Sequence, residues 1–233
     1  MPNTIKTYWN AFVHLCFPHI CLQCGSDALD PSFVLCEDCI KKLPYCAFDN
    51  HSALPIEKIF WGRTSIIYAN ALLFFTKDSI TQLLIAELKY KQNKKAGRML
   101  GFLMGTFLLH SHKQDQIDFF VPIPMSKQKM RQRGYNQTEI ICEGIQLVLN
   151  KPILTNIIAK NPSFDSQTKK TRWQRNMSHP PIFTIQNHHI IQSKNILVID
   201  DVITTGATLE AACNCLAQAY PNSISVLSSA YTI

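Results

Sequence analysis

The segment Ile196-Leu-Val-Ile-Asp200-Asp201-Val-Ile-Thr204-Thr205-Gly206-Ala207-Thr208-Leu209 constrains this chain more than any other stretch. An apolar run of buried-strand type meets two adjacent carboxylates, and a Thr/Gly loop then opens a helix. That is where an open α/β sheet takes its ligands. Successive N–H groups of Thr204, Thr205, Gly206, Ala207 and Thr208 can converge on one anion: Gly206 permits close approach, threonine hydroxyls add donors, and the helix dipole favours negative charge. No Gly-Lys-Ser/Thr follows, which excludes a Walker loop, and the lone Gly206 excludes a dinucleotide fingerprint. Two acids placed directly before a phosphate cradle suit a ligand with both a phosphate and vicinal hydroxyls, such as a ribose 5-phosphate.

The rest of the chain supplies a matching framework. Ile59–Thr64 and Ile66–Phe75 have the aromatic and β-branched content of a strand pair, and apolar residues at helical intervals predict helices over Ser79–Lys91 and Lys95–His110. Asp118–Ile123 predicts a strand, Asn136–Leu149 a helix, Ile153–Ala159 a strand, Asn195–Ile199 a buried strand, Ala207–Tyr220 a helix and Ser223–Tyr231 a last strand. Such alternation argues an α/β fold with a mostly parallel sheet flanked by helices. The polar, basic stretch 160–181, ending in Pro180 and Pro181, has the composition of a loop. Residues 1–52 form a separate head: Ile5, Tyr8, Trp9, Phe12 and Leu15 lie on one helix face, a cysteine-rich module follows, and Pro44 to Pro55 has linker composition. The body is then 53–233.

With 46% apolar and 17% charged side chains over 233 residues, the chain is globular rather than a disordered tail. No stretch approaches the roughly 18 consecutive apolar residues of a membrane span. Asn3, Asn10 and His14 interrupt any signal-peptide core, so the expected location is the cytoplasm. Disulfides are not expected there. Cys21-Leu-Gln-Cys24-Gly25 and Cys36-Glu-Asp-Cys39 form two CxxC knuckles, whose tight turns bring four thiolates to one tetrahedral ion with no open position. Structural Zn²⁺ on Cys21, Cys24, Cys36 and Cys39 is the expectation. Cys16 and Cys46 flank the module at awkward spacing, and they rank below these four, as do His14 and His19.

The formal charge of +7 is concentrated in three places: Lys89–Arg98, Lys127–Arg133 and residues 160–175. Basic patches of this kind suit a polyanion, either a small polyphosphate or a nucleic-acid backbone.

Residues 196–208 resemble the phosphoribosyl pyrophosphate (PRPP) signature of type I phosphoribosyltransferases. There the two acids meet the ribose hydroxyls and the following loop holds the 5-phosphate. Val121-Pro-Ile-Pro124-Met125-Ser126-Lys127-Gln-Lys129-Met-Arg131-Gln-Arg133-Gly134-Tyr135-Asn136-Gln137 is similar to the strand and loop by which ComF-type (competence protein) phosphoribosyltransferases bind pyrophosphate. Charge-assisted and bidentate hydrogen bonds from Lys127, Lys129, Arg131 and Arg133, beside Met125 and Ser126, fit that role. Leu88-Lys89-Tyr90-Lys91 is similar to the family's LKY element, and Gln167, Thr168, Arg175 and Asn176 to its flexible hood, here about 160–181.

The resemblance implies a type I phosphoribosyltransferase fold with a small N-terminal zinc-knuckle lobe built on four cysteines. It implies that PRPP is bound with Mg²⁺ and that Asp200 and Asp201 act as the catalytic acids. Pyrophosphate would be displaced from C1 by a nitrogen nucleophile that the residues do not identify. The family's name points to DNA uptake. A second reading therefore stands beside the first: a non-catalytic, nucleotide-responsive or single-stranded-DNA-binding component working with DNA-uptake proteins.

Overall fold

In the computed structural model, residues 19–46, 55–162 and 181–233 are described. The expected N-terminal helix, Cys16, most of the linker and most of the hood lie outside them. The chain divides into two units, Met1–Leu43 and Pro44–Ile233.

In the first unit, the one described helix is the short α1 (Glu37–Lys41), which starts immediately after Cys36 with Glu37 and Asp38 in its first turn, where the helix dipole favours acids. The rest is tight turns. Gly25 takes a left-handed conformation (φ +74°) that lets its amide bond back to the Cys21 carbonyl at 2.9 Å.

The second unit is built on a four-stranded parallel sheet. In chain order its described elements are α2 (Pro55–Phe60), β1 (Tyr68–Phe75), α3 (Ile80–Tyr90), α4 (Lys94–His110), β2 (Phe119–Pro122), α5 (Lys127–Arg133), α6 (Gln137–Leu149), β3 (Ile158–Lys160), β4 (Phe183–Ile185), β5 (Asn195–Ile203), α7 (Ala207–Ala217) and β6 (Ser223–Thr232). The sheet order is β1-β6-β5-β2, and β3 pairs antiparallel with β4 outside it. β5 and β6 are central and apolar on both faces, as parallel strands covered by helices must be. Ile196, Val198 and Val226 join Leu209, Ala212 and Leu216 in one core cluster, while the alternate residues Leu197, Ile199 and Leu227 are equally buried.

On the helical side α4 crosses α6 with no side chains between. A β-carbon on Gly101 would overlap the Ile141 carbonyl oxygen, and one on Gly144 would overlap that of Arg98. Helix starts follow the expected capping chemistry. Ser79 accepts from the Gln82 amide at 3.1 Å, and Asn136 accepts from that of Thr138 at 3.3 Å.

Three expectations are corrected. Ile59–Thr64 is not a strand: Pro55 opens α2, Gly62 (φ +71°) turns the chain after it, and the apolar Phe60 is buried by helical packing rather than by strand alternation. Lys127–Arg133 is a helix rather than a loop, capped by Ser126 Oγ accepting from the Lys129 amide at 3.3 Å and closed by left-handed Gly134. Ile153–Ala159 is largely irregular. Ile153 makes a single bridge to Phe120, and the regular pairing of β3 begins at Ile158.

Candidate functional site

Because the sheet is parallel, β2 and β5 deliver the segments that follow them to the same edge. The two strands pair from Phe119↔Ile196 to Pro122↔Ile199, and the Ile123 amide closes the ladder on the Ile199 carbonyl at 3.0 Å. β5 continues to Ile203, paired only with β6 on that stretch, Asp200 opposite Ser228. The acid doublet therefore stands where β5 outruns β2, beside the chain that leaves β2 for the basic helix α5. Sequence reasoning set the acids at the strand's end; they lie inside it, and Val202 and Ile203 continue the strand beyond them.

Consecutive strand residues point to opposite faces, and this separates the two carboxylates. Asp200, Val202, Ile203 and the run Thr204–Leu209 line a shallow recess open to solvent. Asp201 is turned to Lys89, whose Nζ lies 2.8 Å from its Oδ2, with both side chains less than a fifth exposed. Burial of the Asp200 carboxyl, and next the like charge of Asp201, push Asp200 up to about 7, against the opposing pull of the Asp201 amide, Lys89 and Lys129. The Asp201 amide donates to Asp200 Oδ1 at 2.8 Å.

The turn itself leaves several backbone amides facing the recess. Thr204, Thr205, Ala207 and Thr208 are exposed at the recess, and the amides of Thr205, Gly206 and Thr208 meet no protein acceptor among the described residues. The Ala207 amide reaches Thr205 Oγ1 only at 3.5 Å. Gly206 caps α7 with φ +75°, and a β-carbon there would come within 2.7 Å of Ile59 Cγ2 and 3.3 Å of the Phe60 ring. Only glycine fits under α2.

On α5, Lys127, Lys129 and Arg131 are exposed, Arg133 and Met125 are half-buried, and Ser126 is buried as the helix cap. α5 follows β2 at the same sheet edge as the acids. Behind the basic helix, Asn136 Nδ2 and Thr138 Oγ1 both donate to the Ile123 carbonyl, at 3.1 and 2.7 Å, fixing the start of α6 to the end of β2. Arg133 donates to Gln137 Oε1 at 2.8 Å and lies 5.7 Å above the Tyr90 ring.

The hood residues Gln167, Thr168, Arg175 and Asn176 are outside the described residues. The segment departs from Lys160 at the end of β3, next to the place where the Asn161 amide bonds the Ile182 carbonyl at 2.9 Å.

Sequence reasoning did not place the Lys89–Asp201 pair, nor the hydrogen bond from the Tyr135 hydroxyl to the Leu88 carbonyl. The family resemblance of the LKY element was the available signal, but it directed Lys89 and Lys91 to the hood or the phosphates, and the structure pairs Lys89 with Asp201 and Lys91 with Glu87.

Within the first unit, the Cys21, Cys24, Cys36 and Cys39 sulfurs all lie within 4.8 Å of one another. A tetrahedral zinc–thiolate site separates its sulfurs by roughly 3.8 Å, and Cys24 and Cys36 Sγ stand at 3.6 Å. Burial acts to raise the Cys21 thiol, but amides of Cys24, Cys36 and Gln23 outweigh it and hold the group at about 6. Burial and the neighbouring thiols push Cys39 up to about 12. One thiolate is thus favoured and further ones need a cation, which is the donor chemistry of a zinc ion. This cluster could hold one. His19 is otherwise engaged, its ring Nε2 donating to the Phe33 carbonyl at 2.7 Å, and Cys46 belongs to the other unit, buried with its amide on the Leu72 carbonyl.

A family model described as the phosphoribosyl transferase domain matches residues 146–231. Over that span, which holds β5 and β6 of the parallel sheet, the chain is similar to a phosphoribosyl transferase domain. Competence protein ComFC of Bacillus subtilis (strain 168) is 38% identical over 96 residues, which is 41% of this chain and only 37% of that relative's length. DNA utilization protein YhgH of Escherichia coli O157:H7 is 23% identical over 193 residues (82% of this chain, 74% of that protein). Competence protein F of Haemophilus influenzae (strain ATCC 51907 / DSM 11121 / KW20 / Rd) is 24% identical over 203 residues (84% and 83%). The chain is thus similar, over different spans, to proteins named for competence and DNA utilization.

Proposed function

We propose that the chain binds PRPP with Mg²⁺ and transfers the phosphoribosyl group to a nitrogen nucleophile, releasing pyrophosphate. One observation carries this reading: Asp200 borders the recess whose wall is the Thr204–Leu209 turn, at the sheet edge where β2 gives way to the basic helix α5. A diol-seeking acid, amides free for a phosphate and a basic helix for a second anion converge at one sheet edge.

In this reading the amides of Thr205, Gly206 and Thr208 hold the 5-phosphate, aided by the positive end of α7. Asp200 accepts from a ribose hydroxyl and orients the sugar. Lys127, Lys129, Arg131 and Arg133 stabilise charge gathering on the leaving pyrophosphate as the bond to C1 lengthens and the nucleophile's lone pair takes its place. The carboxylate oxygens of Asp200 and Asp201 are donors of the kind Mg²⁺ takes, and the crowding of negative charge that lifts Asp200 favours a cation there. Magnesium bound there would supply charge neutralisation to the pyrophosphate. Gln167, Thr168, Arg175 and Asn176 belong to the hood that would close over the substrate. In the other unit the knuckle holds structural Zn²⁺, and the relatives' names support a role in DNA uptake. No described helix is long and apolar enough to cross a membrane.

PRPP at about 100 times its dissociation constant should add about 2.7 kcal/mol of stability, raising the melting temperature by roughly 5–10 °C with Mg²⁺ present. No shift would sink the reading. A screen of nucleobases and amines for pyrophosphate release then names the nucleophile.

A second reading is favoured by Tyr90, 74% exposed with the Arg133 cation 5.7 Å from its ring centroid, an aromatic and a charge that suit an unpaired base and its backbone. It predicts single-stranded-DNA affinity that falls steeply with salt and weakens when Lys129 and Arg131 are neutralised. Flat salt dependence would exclude it.

A further inference from the structure

The last turn of α3 presents three consecutive residues, each engaged with a different part of the site. The Leu88 carbonyl accepts from the Tyr135 hydroxyl, Lys89 pairs with Asp201 at 2.8 Å, and the Tyr90 ring lies under Arg133 at 5.7 Å. Lys94, opening α4, rests 5.1 Å above the other participant, the Tyr135 ring. Neighbouring cations have different engagements: Lys91 pairs with Glu87 at 2.7 Å, and its side chain is 66% exposed. The Lys89–Asp201 pair is by contrast largely withdrawn from water, with side chains 18% and 17% exposed.

A withdrawn ion pair cannot lose one partner without leaving the other charge uncompensated. Lys89 also lies in the C-terminal turn of its helix, where the dipole favours a cation. We propose that the Leu88-Lys89-Tyr90 turn is a clasp and that Lys89 is the resident counter-ion of Asp201, holding a place for which a divalent cation competes. This rests on the reading of the doublet as a ligand site. When a dication takes the carboxylate, the ammonium is released beside Arg133 and α5, where an arriving anion needs positive charge. Lys89 is thus a positioning residue for Asp201, acting before any substrate is bound.

The test uses Mn²⁺ as probe on the zinc-loaded chain, counting free ion by electron paramagnetic resonance. Lys89→Met should tighten Mn²⁺ binding at least fivefold over the parent, because its competitor is gone. Adding Asp201→Asn should cancel the gain, Lys89→Arg should stay near the parent, and Lys91→Met should change nothing. Equal or weaker Mn²⁺ binding by Lys89→Met, or none in either protein, overturns the proposal. Should Lys89→Met fail to fold, the parent itself decides. Acylation of Lys89 by an N-hydroxysuccinimide ester, followed by mass spectrometry, should be slow relative to Lys91 and accelerate severalfold with Mn²⁺; an unchanged rate overturns the proposal. Failure of PRPP to shift the melting temperature would sink the phosphoribosyl reading separately, since neither measurement here contains PRPP.

Discussion

The four thiols of the knuckle come from one short stretch of chain, and the amides that steady Cys21 belong to Gln23, Cys24 and Cys36. The carboxylates of the doublet adjoin each other in sequence, yet their electrostatic surroundings come from α3, α5 and β5. Both sites gather negative charge in partly dehydrated space. The knuckle concentrates its ligands so that one ion can satisfy all four. The doublet divides its burden: Asp201 is met by a lysine, and Asp200 has a raised affinity for a proton. A site assembled locally needs its metal to be a site at all, whereas one assembled from remote elements can stand without it.

Removing zinc should therefore produce the largest effect. Chelation, or Cys21→Ser with Cys36→Ser, should reduce bound zinc from about one per chain to none. Structural zinc contributes on the order of 10 kcal/mol to small thiolate modules, so limited proteolysis should then cut within residues 19–43. Unchanged protection would erase the contrast between the two sites.

Asp200→Asn tests the doublet's side. A carboxyl raised from 3.8 to about 7 binds its proton more tightly in the folded chain than in the unfolded one, so stability falls as pH rises between those values. The asparagine should be neutral in effect near pH 4 and stabilising by up to roughly 4 kcal/mol at pH 8, read by denaturant melts at both pH values. It should also abolish the thermal shift with PRPP. A variant less stable than the parent at pH 8 would show that Asp200 is not under charge stress.

Gly206→Ala should cost roughly 2–3 kcal/mol, combining left-handed backbone strain with overpacking against Ile59, and should remove PRPP binding. A melt and a titration on the same sample check both. The smallest effect belongs to Arg98→Ala: its Glu143 partner lies at 2.9 Å, but both side chains are more than two-fifths exposed, and such pairs contribute about 0.5 kcal/mol or less. A larger loss would mean that exposed charges here are coupled beyond their contact.

Much of this was legible along the chain because it is encoded locally. The apolar run into Asp200, the threonine turn and the paired CxxC turns all depend on residues within a few positions of one another. α2 was hidden because Ile59, Phe60 and Trp61 have strand-like composition, which outweighed the helix start at Pro55, while the packing of Ile59 and Phe60 on Gly206 is tertiary. α5 was hidden because its positive charges suggest solvated loop, while its cap, Ser126, is a single hydroxyl. The split of the doublet follows from pleat alternation once β5 is known to run on to Ile203. The Lys89–Asp201 pair, by contrast, is a product of tertiary packing that no spacing rule carries.

The contact of Gly101 with Gly144 has a directional consequence. α4 begins shortly after Tyr90 and α6 shortly after Arg133, so the two halves of the clasp hang from helices whose main chains touch. Glycine has no atoms to shed, and every replacement at either position adds bulk. Random change at this joint can thus only spread the jaws, never tighten them, which makes the present gap a floor.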